Sequence, residues 1–516
     1  MASAGAPDVT AQAAEHNPLV VRTADGALTG APGVDSSIRV FKGIPYAAPP
    51  VGDLRWKSPQ PVTPWTGLRR ADQFAASCMQ PPRTGISALL PTAPRLASPD
   101  EDCLYLNVWT PASVASAAPG ARLPVMLYFP GGSFTTGGGS GLVFDGESLA
   151  RKGVVLVTIN YRLGVFGFFA HPELTAESGH QASGNYGLLD QLAAMQWVQK
   201  NIAAFGGDPS RVTIFGQSAG AISVLYQVVS PLGAGLFQRA IAQSGGLRSQ
   251  PLTPLVVAEQ AGVALAEKLG AASVADLRAK PAAELMTASP AGTGPILDTW
   301  VLRGEPDALI AANQYNGVPL LLGSNAEESN VLLRTTVNAE QYAEQARTQY
   351  GALSRIYLAL YPGKTDEEAA ASQKKAFDDR FAWGMWKWAD LHAAQGGEAF
   401  LYYFTRRPPP DAPIPGAAHD AELYYVFRNL HLFEQAWTDW DASLADFMSW
   451  YWVNFARSGD PNGTSIFKWP PYDALDPAKK DDVLVFGGTI RLGKSRLDST
   501  RRAFWDDLRT AALAPR

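Results

Sequence analysis

The chain has 516 residues, 46% hydrophobic and 18% charged, which is ample apolar material for a large core. Its 43 Lys and Arg against 48 Asp and Glu leave a formal charge of −5, without the basic excess of a nucleic-acid binder, and no apolar run reaches the roughly 18 residues of a membrane span. Two cysteines exclude a thiolate metal scaffold and permit one disulfide.

Residues 1–18 are small, polar and Pro-containing, with neither a charged n-region nor an apolar h-region. They read as a flexible N-terminal lead or the start of a mature exported chain. No repeat or linker divides the rest, so 19–516 is expected to form a single domain. Within it, Pro124–Phe129, Val154–Ile159, Val212–Phe215, Val318–Leu322 and Phe400–Phe404 are short apolar runs, as strands buried on both faces require. Between the second and third, Leu188, Leu189, Leu192, Met195, Val198 and Ile202 recur at helical spacing. Alternating strands and helices predict a doubly wound α/β sheet whose ligands sit at the C-terminal strand ends. Segments 252–290 and 366–395 read as helical insertions, and 501–516 as a docking helix.

Gly216-Gln217-Ser218-Ala219-Gly220 follows the strand ending at Phe215 and opens an apolar helical stretch, Ala221–Val229. A sharp strand-to-helix turn of this kind lifts a serine hydroxyl above the sheet, and the next N–H can face an oxyanion. A serine needs a base to take its proton and an acid to orient that base. The chain offers His16, His171, His180, His392, His419 and His431. Nucleophile, acid, histidine is the chain order in hydrolase sheets, which leaves the last three. His392 and His431 lie in helix-like stretches. His419 lies in a loop after the strand Phe400–Phe404 and the Pro-rich 408–415. The strand Val318–Leu322 runs into Gly323-Ser-Asn-Ala-Glu327-Glu328, two adjacent carboxylates at a strand end. Gly131-Gly132-Ser133, after the first strand, can turn successive N–H groups toward one oxygen.

Several further motifs resemble those of the type-B carboxylesterases, the family of cholinesterases and p-nitrobenzyl esterases, over nearly the whole chain. They are Phe41–Ala47 with Pro49–Gly52 and Arg55-Trp56, Glu101–Trp109, Asn160–Gly164, Gly184–Gln191, Phe205–Pro209, Phe455-Ala456 with Gly459–Asn462, and Trp469-Pro470. The resemblance implies an α/β-hydrolase fold: a large, mostly parallel sheet flanked by helices, with helical insertions over the active site. It implies a carboxylic-ester hydrolase working through an acyl-enzyme, without cofactor or metal. Ser218, Glu328 and His419 fall on the triad positions. Gly132, Ser133 and Ala219 fall on those of the oxyanion hole, and Cys78 and Cys103 on positions usually bridged. A bridge implies an oxidising compartment, so the chain is expected to be secreted or periplasmic. The expected partner is a small-molecule carboxylic ester, with no nucleic acid and no membrane span, the chain itself being a monomer or weak homo-oligomer.

Pro130, Ser133 and Gln217 depart from the family's usual residues, which puts the shape and charge of the pocket in question. Some bacterial members remove polycarboxylic, tricarballylic side chains from mycotoxins such as fumonisins, and the departures suit such a specialist. Other members are adhesion proteins that have lost the triad, a reading the three intact residues oppose. Phe381, Trp383, Trp386 and Trp388 either line a gorge or belong to the core. Arg334 either receives an anionic acyl group or is a solvated surface residue.

Overall fold

Alternate residues of each apolar run go to opposite faces of one sheet, where they feed two cores. In β4 (Leu123–Phe129), Val125, Leu127 and Phe129 enter one cluster while Met126 and Tyr128 enter the other. Val155, Val157 and Ile159 of β5 (Val155–Ile159) join the first, and Leu156 joins the second. With side chains alternating at period two, a strand covered on both faces must be apolar throughout.

The computed structural model describes residues 17–514, apart from 85–87, 89–91, 94–97, 117–121, 290–293, 334, 413–414, 477–478 and 481. The other sheet strands are β1 (Ala31–Pro32), β2 (Ile38–Pro45), β3 (Tyr105–Pro111), β6 (Gly207–Gln217), β7 (Arg239–Gln243), β8 (Leu320–Asn325), β9 (Ala399–Phe404), β10 (Asp482–Phe486) and β11 (Ile490–Lys494). Their spatial order is β11-β10-β9-β8-β7-β6-β4-β5-β3-β2-β1. From β10 to β5 all pairings are parallel. The edges β10–β11 and β5–β3–β2–β1 are antiparallel. This is the α/β-hydrolase fold that the resemblance implies.

All five expected strands are present, and β7, β10 and the antiparallel edges are additional. Arg239-Ala-Ile-Ala-Gln243 has too few large side chains to read as a core strand. Its alanines instead allow the helix following β6 to pack closely on it.

Helix α1 (Tyr186–Asn201) crosses from β5 to β6, and α2 (Ala219–Val229) leaves β6. The insertion at 366–395 is α3 (Asp366–Ala394), started by the Thr365 side chain accepting from Glu368 N–H. The 252–290 insertion forms three helices, Leu255–Lys268, Val274–Ala279 and Ala282–Ala288. The C-terminal helix α4 spans Ser499–Leu513 and buries Phe504, Trp505 and Leu508. Among the described residues no helix is long and apolar enough to cross a membrane.

Buried or half-buried ion pairs tie sequence motifs together. Arg162 of Asn160-Tyr-Arg grips Asp190 of α1 with two side-chain bonds, 2.7 and 2.8 Å, where neither side chain meets solvent. Arg55 holds Glu101 at 2.5 Å, joining the first motif to the second. In both pairs a bidentate guanidinium meets a carboxylate, the geometry that best offsets the cost of burying charge.

Cys78 and Cys103 form a disulfide that closes a loop of 25 residues. In the chain-entropy model such a closure stabilises by about 3–4 kcal/mol. The Cys78→Ser/Cys103→Ser double variant is therefore expected to unfold at clearly lower urea concentration than the native protein. An unchanged urea midpoint would show that the bridge contributes no stability.

Candidate active site

Strands β5 and β6 lie on opposite sides of β4, so the chain reverses its winding direction there. A crevice opens at such a point, outside the C-terminal strand ends. Two segments meet in it: the glycine loop after β4 and the turn from β6 into α2.

That turn is a strained one. Ser218 has φ 58° and ψ −125°, a region a non-glycine residue rarely occupies. Two hydrogen bonds fix it, from Ser218 N–H to Gln243 O at 2.8 Å and from Ile222 N–H to Ser218 O at 3.0 Å. Tight crossing explains the flanking glycine: a Cβ on Gly220 would stand 2.0 Å from Phe129 O. In the loop after β4, Gly132, Ser133 and Phe134 have φ of 123°, 56° and 62°, a left-handed run that turns successive N–H groups the same way. Tyr161 anchors its start by donating to Pro130 O at 2.8 Å. Among the described residues, the N–H groups of Gly132, Ser133 and Ala219 have no acceptor.

The segments following β8 and β9 bring Glu328 and His419 together. Glu328 and His419 are buried, and His419 Nδ1 lies 2.5 Å from Glu328 Oε2. The other Glu328 oxygen accepts Asn325 N–H at 2.8 Å, which fixes the carboxylate plane. Glu327 faces away from the histidine ring. It pairs with Arg407 and accepts Ala417 N–H at 2.7 Å, pinning the histidine loop to the end of β8. Asn325 Nδ2 donates to Ala418 O and to the buried Glu422 carboxylate, at 2.7 and 2.5 Å.

Burial alone would push His419 toward the neutral form. The charge and hydrogen bond of Glu328, with the charges of Asp420 and Glu422, outweigh it and raise the pKa to about 9. Burial, then repulsion from Glu328, raises Glu422 to about 7.

Gly132, Ser133, Gln217, Ser218, His419 and Asp420 line one cavity of about 310 Å³. Here the departure at Gln217 acquires a contact. Its Nε2 lies 3.2 Å from His419 Nε2, so the amide donates to the ring nitrogen when that nitrogen is unprotonated. Ser218 Oγ has no hydrogen-bond partner among the described residues.

The remaining candidates lie elsewhere. His392 is packed in α3 against the Tyr315 hydroxyl, 2.9 Å from Nδ1, and burial lowers its pKa to about 4. His431 lines a separate hollow of about 550 Å³ beside Arg151 and Arg428. His180 stacks on Trp300, His171 caps a short helix, and His16 lies outside the described residues. Trp383, Trp386 and Trp388 are buried core residues; of the aromatic group only Phe381 reaches the site, edge-on to His419 at 5.6 Å. Arg334 lies outside the described residues. No group of three or more His, Cys, Asp or Glu among the described residues could hold a metal ion. Pattern reading left Asp420, Glu422 and Arg83 without a role; the first two neighbour His419 in sequence, whereas nothing local marks Arg83.

Residues 17–505 match the model of the carboxylesterase family. The chain is 37% identical to a fumonisin B1 esterase of Sphingopyxis macrogoltabida, covering 95% of this chain and 90% of that one. It is 34% identical to carboxylesterase 1D of Rattus norvegicus, over 98% and 96%. A solved structure of PNB esterase superposes with a TM-score of 0.80 at 30% identity, covering 97% of this chain and all of that one. With a serine, a histidine–carboxylate pair and free N–H groups at one crevice of a hydrolase sheet, and with this match along nearly its whole length, the chain belongs to the carboxylesterase family and is a carboxylic-ester hydrolase acting on small-molecule esters.

Proposed function

We propose that hydrolysis runs through an acyl-enzyme, with Ser218, His419 and Glu328 as the triad. His419 Nε2 takes the hydroxyl proton as Ser218 Oγ bonds to the ester carbonyl carbon. The oxygen thus made anionic accepts from the N–H groups of Gly132, Ser133 and Ala219. The imidazolium then protonates the departing alkoxide, and water repeats the sequence to release the acid. Glu328 keeps the proton on Nδ1, leaving Nε2 free as base. The carrying observation is the buried contact of His419 with Glu328 at one end of the ring, while the ring itself lines the Ser218 cavity.

A second, narrower reading concerns the substrate. We infer a preference for esters of polycarboxylic acids, such as the tricarballylic side chains of a fumonisin-like mycotoxin. The name of the 37% identical esterase supports it, as does a cation, Arg83, in the cavity wall. The disulfide supports a secreted or periplasmic location.

Diethyl p-nitrophenyl phosphate tests the triad. Ser218 Oγ should bond to phosphorus and expel p-nitrophenolate, leaving one diethylphosphoryl group on the Ser218 peptide by mass spectrometry. The reaction needs His419 unprotonated, and its pKa is raised. The inactivation rate should therefore climb with pH from 7 toward about 9. Label on another residue would overturn the assignment, whereas a rate flat over that range would show only that His419 is not held protonated there.

A further inference from the structure

The loop closed by Cys78–Cys103 carries Arg83 to the Ser218 cavity, where it lines the wall with Thr92, Gln217, Ser218 and Asp420. Its setting is unusual for an arginine. One guanidinium nitrogen donates to Thr92 Oγ1 at 3.3 Å, and that hydroxyl donates to Asp420 Oδ2 at 3.4 Å. Both bonds are long, and Arg83 makes no direct ion pair among the described residues. Arg83 Nε is shut off from solvent without a hydrogen-bond partner there. A guanidinium has five donors and stays charged, so one so poorly satisfied retains capacity for an acceptor.

Asp420 completes the arrangement. It sits in left-handed backbone, φ 76°, with its carboxylate buried between His419 Nε2, 4.0 Å away, and the Thr92 hydroxyl. Its charge acts on Arg83 across the intervening Thr92 hydroxyl, without a direct ion pair, and does not outweigh the burial of the guanidinium, while Gln217, beside Ser218, adds no negative charge. An anion entering this cavity meets a partly desolvated cation at a short remove from the serine.

We propose that Arg83 is a specificity-determining residue that binds a free carboxylate of the ester substrate. Planar, two-pronged donation matches a carboxylate, and desolvation makes the pairing strong. The inference rests on the ester-hydrolase reading and narrows it to esters carrying a second, unesterified acid.

Three esters test it on the intact, oxidised protein: p-nitrophenyl pentanoate, p-nitrophenyl monoglutarate and 4-carboxyphenyl pentanoate. They place the charge nowhere, on the acyl side, or on the leaving group. Hydrogen bonds to charged groups are each worth about 1.5–3 kcal/mol, or roughly 10- to 100-fold. Arg83→Gln should lower the ratio of kcat/KM for the monoglutarate to that for the pentanoate by at least about tenfold, and Arg83→Lys should restore part of it. If the leaving-group ester shows the loss instead, the carboxylate sits on the alcohol side and Arg83 still selects it. Inhibition of pentanoate hydrolysis by tricarballylate should weaken in parallel, a measure that survives if Arg83→Gln folds poorly and only Arg83→Lys is usable. Equal losses on all three esters, unchanged ratios, or a native protein that leaves both charged esters uncut would overturn the proposal. A native protein cutting none of the three would instead overturn the ester-hydrolase reading beneath it.

Discussion

Ser218→Ala is expected to lower kcat on a p-nitrophenyl ester by about 10⁴- to 10⁶-fold. The substitution removes one oxygen and leaves Cβ in place, so the turn at φ 58° and its two backbone hydrogen bonds should persist. Folding and substrate affinity should change little, while the hydroxyl proposed as nucleophile is gone. Residual activity would come from the N–H groups of Gly132, Ser133 and Ala219 polarising a carbonyl toward water. Retention of more than a tenth of the native rate would exclude Ser218 as nucleophile.

Replacing Glu328 by Gln should cost about 10⁴-fold, through the histidine. One Glu328 oxygen accepts Asn325 N–H and the other accepts the Nδ1 proton of His419, so both positions demand an acceptor. Gln supplies only one. With its NH₂ group toward the ring, Nδ1 becomes the acceptor and Nε2 carries the proton, which blocks transfer from Ser218. The imidazolium that forms during attack also loses its counter-charge. Glu327→Gln is the matched comparison. Its carboxylate serves Arg407 and the Ala417 N–H, and the Arg407 side chain is largely exposed, so the loss should stay within about tenfold. Similar, modest losses at both positions, measured as kcat on the same ester, would overturn the assignment of Glu328.

These two carboxylates show where sequence reading stops. They are adjacent at one strand end, and spacing offers no means to separate them; only family resemblance favours Glu328. In the fold, one turn of backbone after β8 sends Glu328 inward under His419 and Glu327 outward to Arg407. Gln217 is similar. Its departure from the family pattern is visible in the sequence, yet its contact with His419 spans 202 residues of chain. The three tryptophans of α3 have helical spacing whether they line a gorge or fill a core, and the packing on both sides of that helix decides for the core.

What the sequence by itself determined is whatever depends on local pattern. Short continuous apolar runs give strands buried on both faces. A glycine-flanked serine between a strand and a helix gives a strained turn, because only glycine leaves room at that crossing. The order of serine, carboxylate and histidine follows from the order of strands. Tertiary structure alone decided which carboxylate faces the ring, which nitrogen Gln217 touches, and that Arg83, carried on a disulfide-closed loop with no local signature, stands in the wall of the cavity. Each of these depends on side chains far apart in the chain converging at a point where several strand ends meet, and no local spacing encodes the direction in which a loop returns.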